Sequence, residues 1–195
     1  MKKYFRHFIA LICVVALAAG CASAPAKFYT LNSTVTDWAK PALNCSIVVG
    51  PVSVPAEVDR PQFTVQVAPN RVAVDEFNRW ASPLNDNIAR AVAGDLAALL
   101  GTPRVSEISP ANYNPDYRVA IDIEKFVSVP AKSAAIEAAW VIRKTGGGVV
   151  TGITHTTEPV TAADFDALAA AHSRALAKVS ADIAAAIRAE ADKKP

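Results

Sequence analysis

Cysteine is nearly missing from this chain, and so are most side chains that carry out chemistry. Of three cysteines among 195 residues, Cys13 lies in an N-terminal apolar run and Cys21 at its end, which leaves Cys45 alone. One thiol cannot form an intramolecular disulfide, even in an oxidising compartment. Cys45 adjoins the apolar run Ile47-Val48-Val49, which suits a buried thiol better than a nucleophile. Histidine is as scarce: beyond the N-terminal run only His155 and His172 remain. His172 falls on an apolar helical stripe, as a core or interface histidine does. His155 sits among threonines without nearby Cys or carboxylate partners, a poor metal site. No Gly-x-Ser-x-Gly elbow and no dinucleotide fingerprint occur. Gly146-Gly147-Gly148 precedes neither Lys-Ser/Thr nor a helix, so it does not read as a phosphate cradle. Asp122 and Glu124 share a strand face beside Arg118; such a pair could do acid–base work, but a solvated strand face explains it more simply. The chain does not read as an enzyme, and no metal or cofactor is expected.

Basic charge is lacking too, once the N-terminus is set aside. Lys2, Lys3 and Arg6 precede an uncharged apolar run from Phe8 to Ala19. That run is too short for a lasting membrane span, which takes about 20 apolar residues, but it fits a secretory leader. Residues 1–20 hold three of the 20 Lys and Arg and none of the 18 Asp and Glu, leaving 17 against 18 and a formal charge of −1. With no basic field and no Lys/Arg cluster, nucleic acid is not an expected partner.

Leu17-Ala18-Ala19-Gly20-Cys21 resembles a bacterial lipobox, in which Cys21 is acylated on sulfur and becomes the new N-terminus. The position three before the cysteine is Ala18 where lipoboxes usually carry Leu. A plain secreted protein cut nearby, or an uncleaved anchor, are the alternatives. Several acyl chains make a firm anchor, each buried methylene contributing about 0.8 kcal/mol. Residues 21–27 then form a short tether, residues 28–190 one domain large enough for a core, and residues 191–195 a frayed, charged tail.

Along the domain, Phe28-Tyr29-Thr30-Leu31 opens as a β-favouring segment, and residues 32–44 carry no assignable element. Ile47 to Val54 reads as a strand, with Gly50-Pro51 marking an edge or a bend. Phe63, Val65 and Val67 alternate with polar residues; Ala68-Pro69-Asn70 turns the chain, and Val72, Val74 and Phe77 return, so a half-buried hairpin is expected. Ser82 as N-cap and Pro83 at the first helical position begin a helix. Its face carries Leu84, Ile88, Val92, Leu96 and Leu99, and Gly101 ends it. Tyr117 to Glu124, Ile136 to Ile142 and, more weakly, Val149 to Thr157 alternate as an antiparallel meander. Thr161 with Asp164 resembles a capping box before a helix of about 25 residues, striped by Phe165, Leu168, His172, Leu176, Val179, Ile183 and Ile187. Trp80 reads first as a core aromatic pinning the hairpin to the first helix, and second as a partly exposed contact residue.

In order and spacing, these segments resemble the PqiC-type ABC-transport auxiliary lipoproteins of Gram-negative bacteria. The likeness is carried by the lipobox cysteine, Phe28-Tyr29-Thr30-Leu31, Val49-Gly50-Pro51-Val52-Ser53-Val54-Pro55 and Asp59-Arg60-Pro61-Gln62. Asn78-Arg79-Trp80-Ala81-Ser82-Pro83-Leu84 completes it. It is strongest over residues 28–101 and weak over 102–115. It implies a mixed sheet flanked by helices, which with the elements above gives the expected fold: α/β (α+β-like), one domain. A mixed, mainly antiparallel sheet would carry a mid-chain helix and a long C-terminal helix. It also implies a non-catalytic subunit anchored by Cys21, with acyl chains such as palmitate, on the periplasmic face of the outer membrane, consistent with Ala22 following the cysteine. That subunit would work with an MCE (mammalian cell entry) protein and an ABC transporter in lipid traffic tied to membrane integrity. Trp80, Pro83 and Leu84, with Asp59, Arg60 and Pro61, match family motifs and are the candidate interface. Self-association is left open. The competing readings are a periplasmic lipid shuttle with its own acyl cavity, an envelope structural lipoprotein outside any transport system and, last, an envelope hydrolase.

Overall fold

The computed structural model describes residues 24–108 and 113–193; the leader, Cys21 and part of the Pro/Asn loop lie outside them. Among the described residues, eight strands and two helices follow in the order β1 (Lys27–Tyr29), β2 (Ile47–Ser53), β3 (Gln62–Ala68), β4 (Arg71–Trp80), α1 (Leu84–Leu100), β5 (Val105–Ser106), β6 (Tyr117–Val129), β7 (Ser133–Lys144), β8 (Val149–Pro159) and α2 (Phe165–Ala191). The class is the expected mixed α/β, but the strands divide into two sheets. A three-stranded sheet runs β1-β4-β3, and a five-stranded sheet runs β5-β2-β6-β7-β8. The long pairings β3–β4, β6–β7 and β7–β8 are antiparallel, whereas β1 and β5 add on parallel to β4 and β2.

The large sheet follows from alternation: Tyr117, Val119, Ile121 and Ile123 of β6 and Ile136, Ala138, Trp140 and Ile142 of β7 are buried on the face that the helices cover. β8 gave the weaker signal because its inward residues are Thr154, Thr156 and Glu158. Thr154 Oγ bonds Asp182, and Glu158 pairs with Arg174 and Lys178, all from α2. β2 bends at Gly50-Pro51, where its register against β6 slips. It lies inside the sheet, with β5 covering only Ile47 and Val48.

α1 starts one residue later than the capping pattern predicts. Pro83 is the cap and makes no side-chain hydrogen bond. The Asn87 amide folds back to donate to the Ser82 and Pro83 carbonyls, and Ser82 Oγ makes no hydrogen bond. Ile88, Val92 and Leu96 are buried as expected, but Leu100 takes the place assigned to Leu99, which is half-buried. Gly101 closes the helix in the left-handed conformation. α2 is capped by Asp164, whose carboxylate accepts from the Ala167 amide; Thr161 is not the cap. The helix runs through Ala191 into the predicted tail, and Glu190 pairs with Lys193.

The segment over residues 32–44 is a strap across α1. Asp95, fully buried, accepts hydrogen bonds from Ser33 Oγ, the Thr34 and Val35 amides and Ser180 Oγ of α2. Farther on, the Ala39 and Leu43 amides bond the carbonyls of Ala98 and Leu100. Burial pushes the Asp95 carboxyl above its usual range, against those four donors.

Candidate functional site

The two sheets meet through an aromatic cluster. Trp80 stacks on Phe63 with centroids 4.3 Å apart, Phe63 meets Phe165 edge-on at 5.1 Å, and Trp80 meets Phe126 at 6.1 Å. Trp80 is 4% exposed, so it is the core aromatic of the first reading. Phe126 in turn lies flat against His172, centroids 3.8 Å apart. His172 is fully buried on the α2 stripe; Nε2 bonds Ser128 Oγ at 2.8 Å and Nδ1 has no partner. Burial presses its pKa from 6.5 to about 3.

Around the end of β4 the candidate interface residues converge. The Trp80 amide donates to the Pro61 carbonyl at 2.7 Å, and the Ala81 amide donates to the Tyr29 carbonyl at 2.8 Å. These bonds hold Asp59-Arg60-Pro61 against Trp80-Ala81-Ser82-Pro83-Leu84, leaving a groove of about 360 Å³ between the segments. All six candidate residues, Asp59, Arg60, Pro61, Trp80, Pro83 and Leu84, line it, and Ala81 and Ser82 complete it. Trp80 and Leu84 contribute from the buried side, whereas Asp59, Arg60, Pro61, Ala81 and Pro83 are exposed. The groove therefore has an apolar base, proline walls and a rim with one cation and one carboxylate. Ser82 Oγ is buried without a hydrogen-bond partner, so no base is in contact to activate it as a nucleophile. A second groove of about 380 Å³ lies between the Gly50-Pro51 bend and Asn85, Asp86 and Arg90 of α1. Its lining mixes Val49, Val52 and Ile108 with Asn85, Asp86, Arg90 and Glu107.

Elsewhere the titratable groups are structural or solvated. Cys45 is buried and burial pushes its thiol to about 11, a poor nucleophile. His155 does have a carboxylate neighbour, contrary to the sequence reading: its Nδ1 is 3.4 Å from Glu137 Oε2, brought opposite by the β7–β8 register. Asp122 accepts from Ser53 Oγ at 2.6 Å on an exposed strand face. Among the described residues no cluster of three or more His, Cys, Asp or Glu could hold a metal ion.

Sequence reasoning missed one surface feature. Val67, Val72, Val74 and Phe77 were assigned to a half-buried hairpin, but all four are exposed. Phe63 and Val65 are buried as expected; beyond them the hairpin runs past the body of the protein. A bulge lies at the body end of the hairpin: the register slips from Gln62↔Arg79 to Phe63↔Asp75. Asp75 Oδ1 accepts from the Phe77 and Asn78 amides and the Asn78 side chain, closing the extra residues into a tight turn. Burial alone would raise the Asp75 carboxyl, yet these donors hold it below its ordinary value.

A family model described as the ABC-type transport auxiliary lipoprotein component matches residues 29–184. None of the curated proteins matches at a significant level. A crystal structure of an uncharacterized protein shares 19% identity with a TM-score of 0.70, over 84% of this chain and 99% of that one. A crystal structure of a protein from Xanthomonas campestris shares 23% identity with a TM-score of 0.65, over 80% of this chain and 92% of the other. At such identities the likeness establishes the fold.

Proposed function

Because this chain belongs to the ABC-type transport auxiliary lipoprotein component family, we propose that it is a non-catalytic adaptor anchored through Cys21 to the periplasmic face of the outer membrane. In this reading it docks an MCE-type partner of an intermembrane lipid transport system through the groove between Asp59-Arg60-Pro61 and Trp80–Leu84. The observation that carries the reading is the convergence of two motif segments, some 20 residues apart, on one exposed groove whose buried side is rigid. Trp80 and Leu84 are locked in the core, so the rim is preorganised and docking costs little side-chain entropy. A short tether raises the local concentration of the domain at its membrane, so a modest groove suffices. The groove's charged rim of Asp59 and Arg60 favours a protein contact over an acyl cavity.

The test is capture of the co-encoded MCE protein by the lipidated chain, compared with Arg60→Glu and Ala81→Arg variants. Both side chains are exposed, so the variants should fold and lose most of the capture. Capture unchanged in both variants rejects the groove, and no capture by the wild type rejects the adaptor. Lipid co-purifying in stoichiometric amount would favour the shuttle.

A further inference from the structure

The β3–β4 hairpin is an arm: residues 69–74 at and beyond its turn are all exposed, on both faces. Its composition is unlike the rest of the surface. From Phe63 to Val74 the only charged side chain is Arg71, a cation at the turn, and the carboxylates begin at Asp75 and Glu76, back toward the body. Val72 is 53% exposed and Phe28, on the neighbouring β1, 65%. Isolated exposed apolar residues need no explanation, but an arm carrying several of them, and no acid, does.

Its direction says what covers it. β1 pairs parallel to β4 with Lys27 opposite Asn78, Phe28 opposite Arg79 and Tyr29 opposite Trp80. β4 runs from the turn at Arg71 into the body at Trp80, so the chain preceding Lys27 leaves β1 toward the turn. Cys21 is seven residues before Phe28, which lies level with Gln62 through Arg79, and the turn at Pro69 is seven residues beyond Gln62 along β3. At about 3.3–3.6 Å per extended residue, an anchor on Cys21 can hold the bilayer no farther than about 21 Å from Lys27. The arm spans about the same distance in the same direction. We infer that the tip of this hairpin, Val67 to Val74, is a second membrane contact: its apolar side chains enter the lipid interface and Arg71 meets anionic headgroups. One acyl anchor alone fixes a point; a second contact fixes the orientation of the body above the bilayer. The inference rests on the Cys21 anchor proposed above.

The test uses the full lipidated protein in vesicles of phosphatidylethanolamine and phosphatidylglycerol. Val72→Cys and, at the other end of the large sheet, Arg143→Cys are each labelled with an environment-sensitive fluorophore. Cys45 is buried and Cys21 acylated, so the new thiol takes the label. The label at 72 should shift to the blue and be quenched several-fold more by lipid-borne quenchers than the label at 143, and adding Val74→Asp should reduce that quenching. Equal responses at 72 and 143 in protein that floats with the vesicles overturn the membrane contact and leave the anchor standing. A blue shift that ignores lipid quenchers and grows with protein density means a second copy covers the arm, and also overturns it. Protein that stays unbound, with Cys21 bare by intact mass, overturns the anchor and the contact together.

Discussion

Replacing His172 with glutamine should remove one distinct component of the acid sensitivity of the fold. The imidazole is fully buried between α2 and Phe126, and burial presses its pKa from 6.5 to about 3. The unfolded chain therefore binds a proton that the native state refuses between those two values. Since the folded value is the depressed one, the contribution to stability is complete above pH 6.5 and is lost as pH falls toward 3. The whole gap corresponds to about 5 kcal/mol, of which about 2 kcal/mol is lost by pH 5. With a urea slope of about 2 kcal/mol per molar, the midpoint of the wild type should fall by about 1 M between pH 8 and pH 5 on this account alone. Glutamine can still reach Ser128 Oγ but does not titrate, so the variant should lack that component. The carboxylates are common to both proteins and cancel in the difference. Equal midpoint losses in wild type and variant would refute the reasoning, because the proton would then have access to the site in the native state.

Three further outcomes follow from the packing. Gly152→Ala places a Cβ on the indole of Trp140, its cross-strand partner, and overpacking of this kind should lower stability by about 1–3 kcal/mol, read as a drop in melting temperature. Asp95→Ala leaves the donors of Ser33, Thr34 and Val35 without their acceptor, while Ser180 keeps the Leu176 carbonyl. It should cost about 3 kcal/mol and open the strap to limited proteolysis before the rest of the domain unfolds. Cys45, its thiol at about 11, should react with iodoacetamide at pH 8 about 100-fold more slowly than a free thiol, and at the ordinary rate once urea unfolds the chain.

The elements themselves were legible because each rests on a local rule: alternation in β6 and β7, a three-and-four stripe in α1 and α2, glycine after Leu100. Where the reading slipped, a distant partner decided. Ser82 has the chemistry of a helix cap, but the helix begins one residue later, after Pro83, and the buried Ser82 hydroxyl caps nothing. Asp95 looks like a polar-face residue until the strap, itself without any periodic signal, is laid across it. Val67, Val72 and Val74 alternate as well as Phe63 and Val65 do, since periodicity reports which way a side chain points and not how far the body extends beneath it. For the groove, the sequence supplied both walls as separate motifs; that Pro61 and Trp80 touch is a property of the bulged β3–β4 register alone.

The parallel pairing of β1 with β4 has a mechanical consequence. Tension applied upstream of Lys27 acts along the strand axis, so the β1–β4 hydrogen bonds are loaded together, in shear, and not peeled one after another. Behind them the Tyr29 carbonyl holds Ala81, and farther along the chain the clasp at Asp95 ties Thr34 and Val35 to both helices. Drag on the N-terminus thus meets two catches in series, with the buried Tyr29 and Leu31 between them, an arrangement suited to a body pulled on from one end.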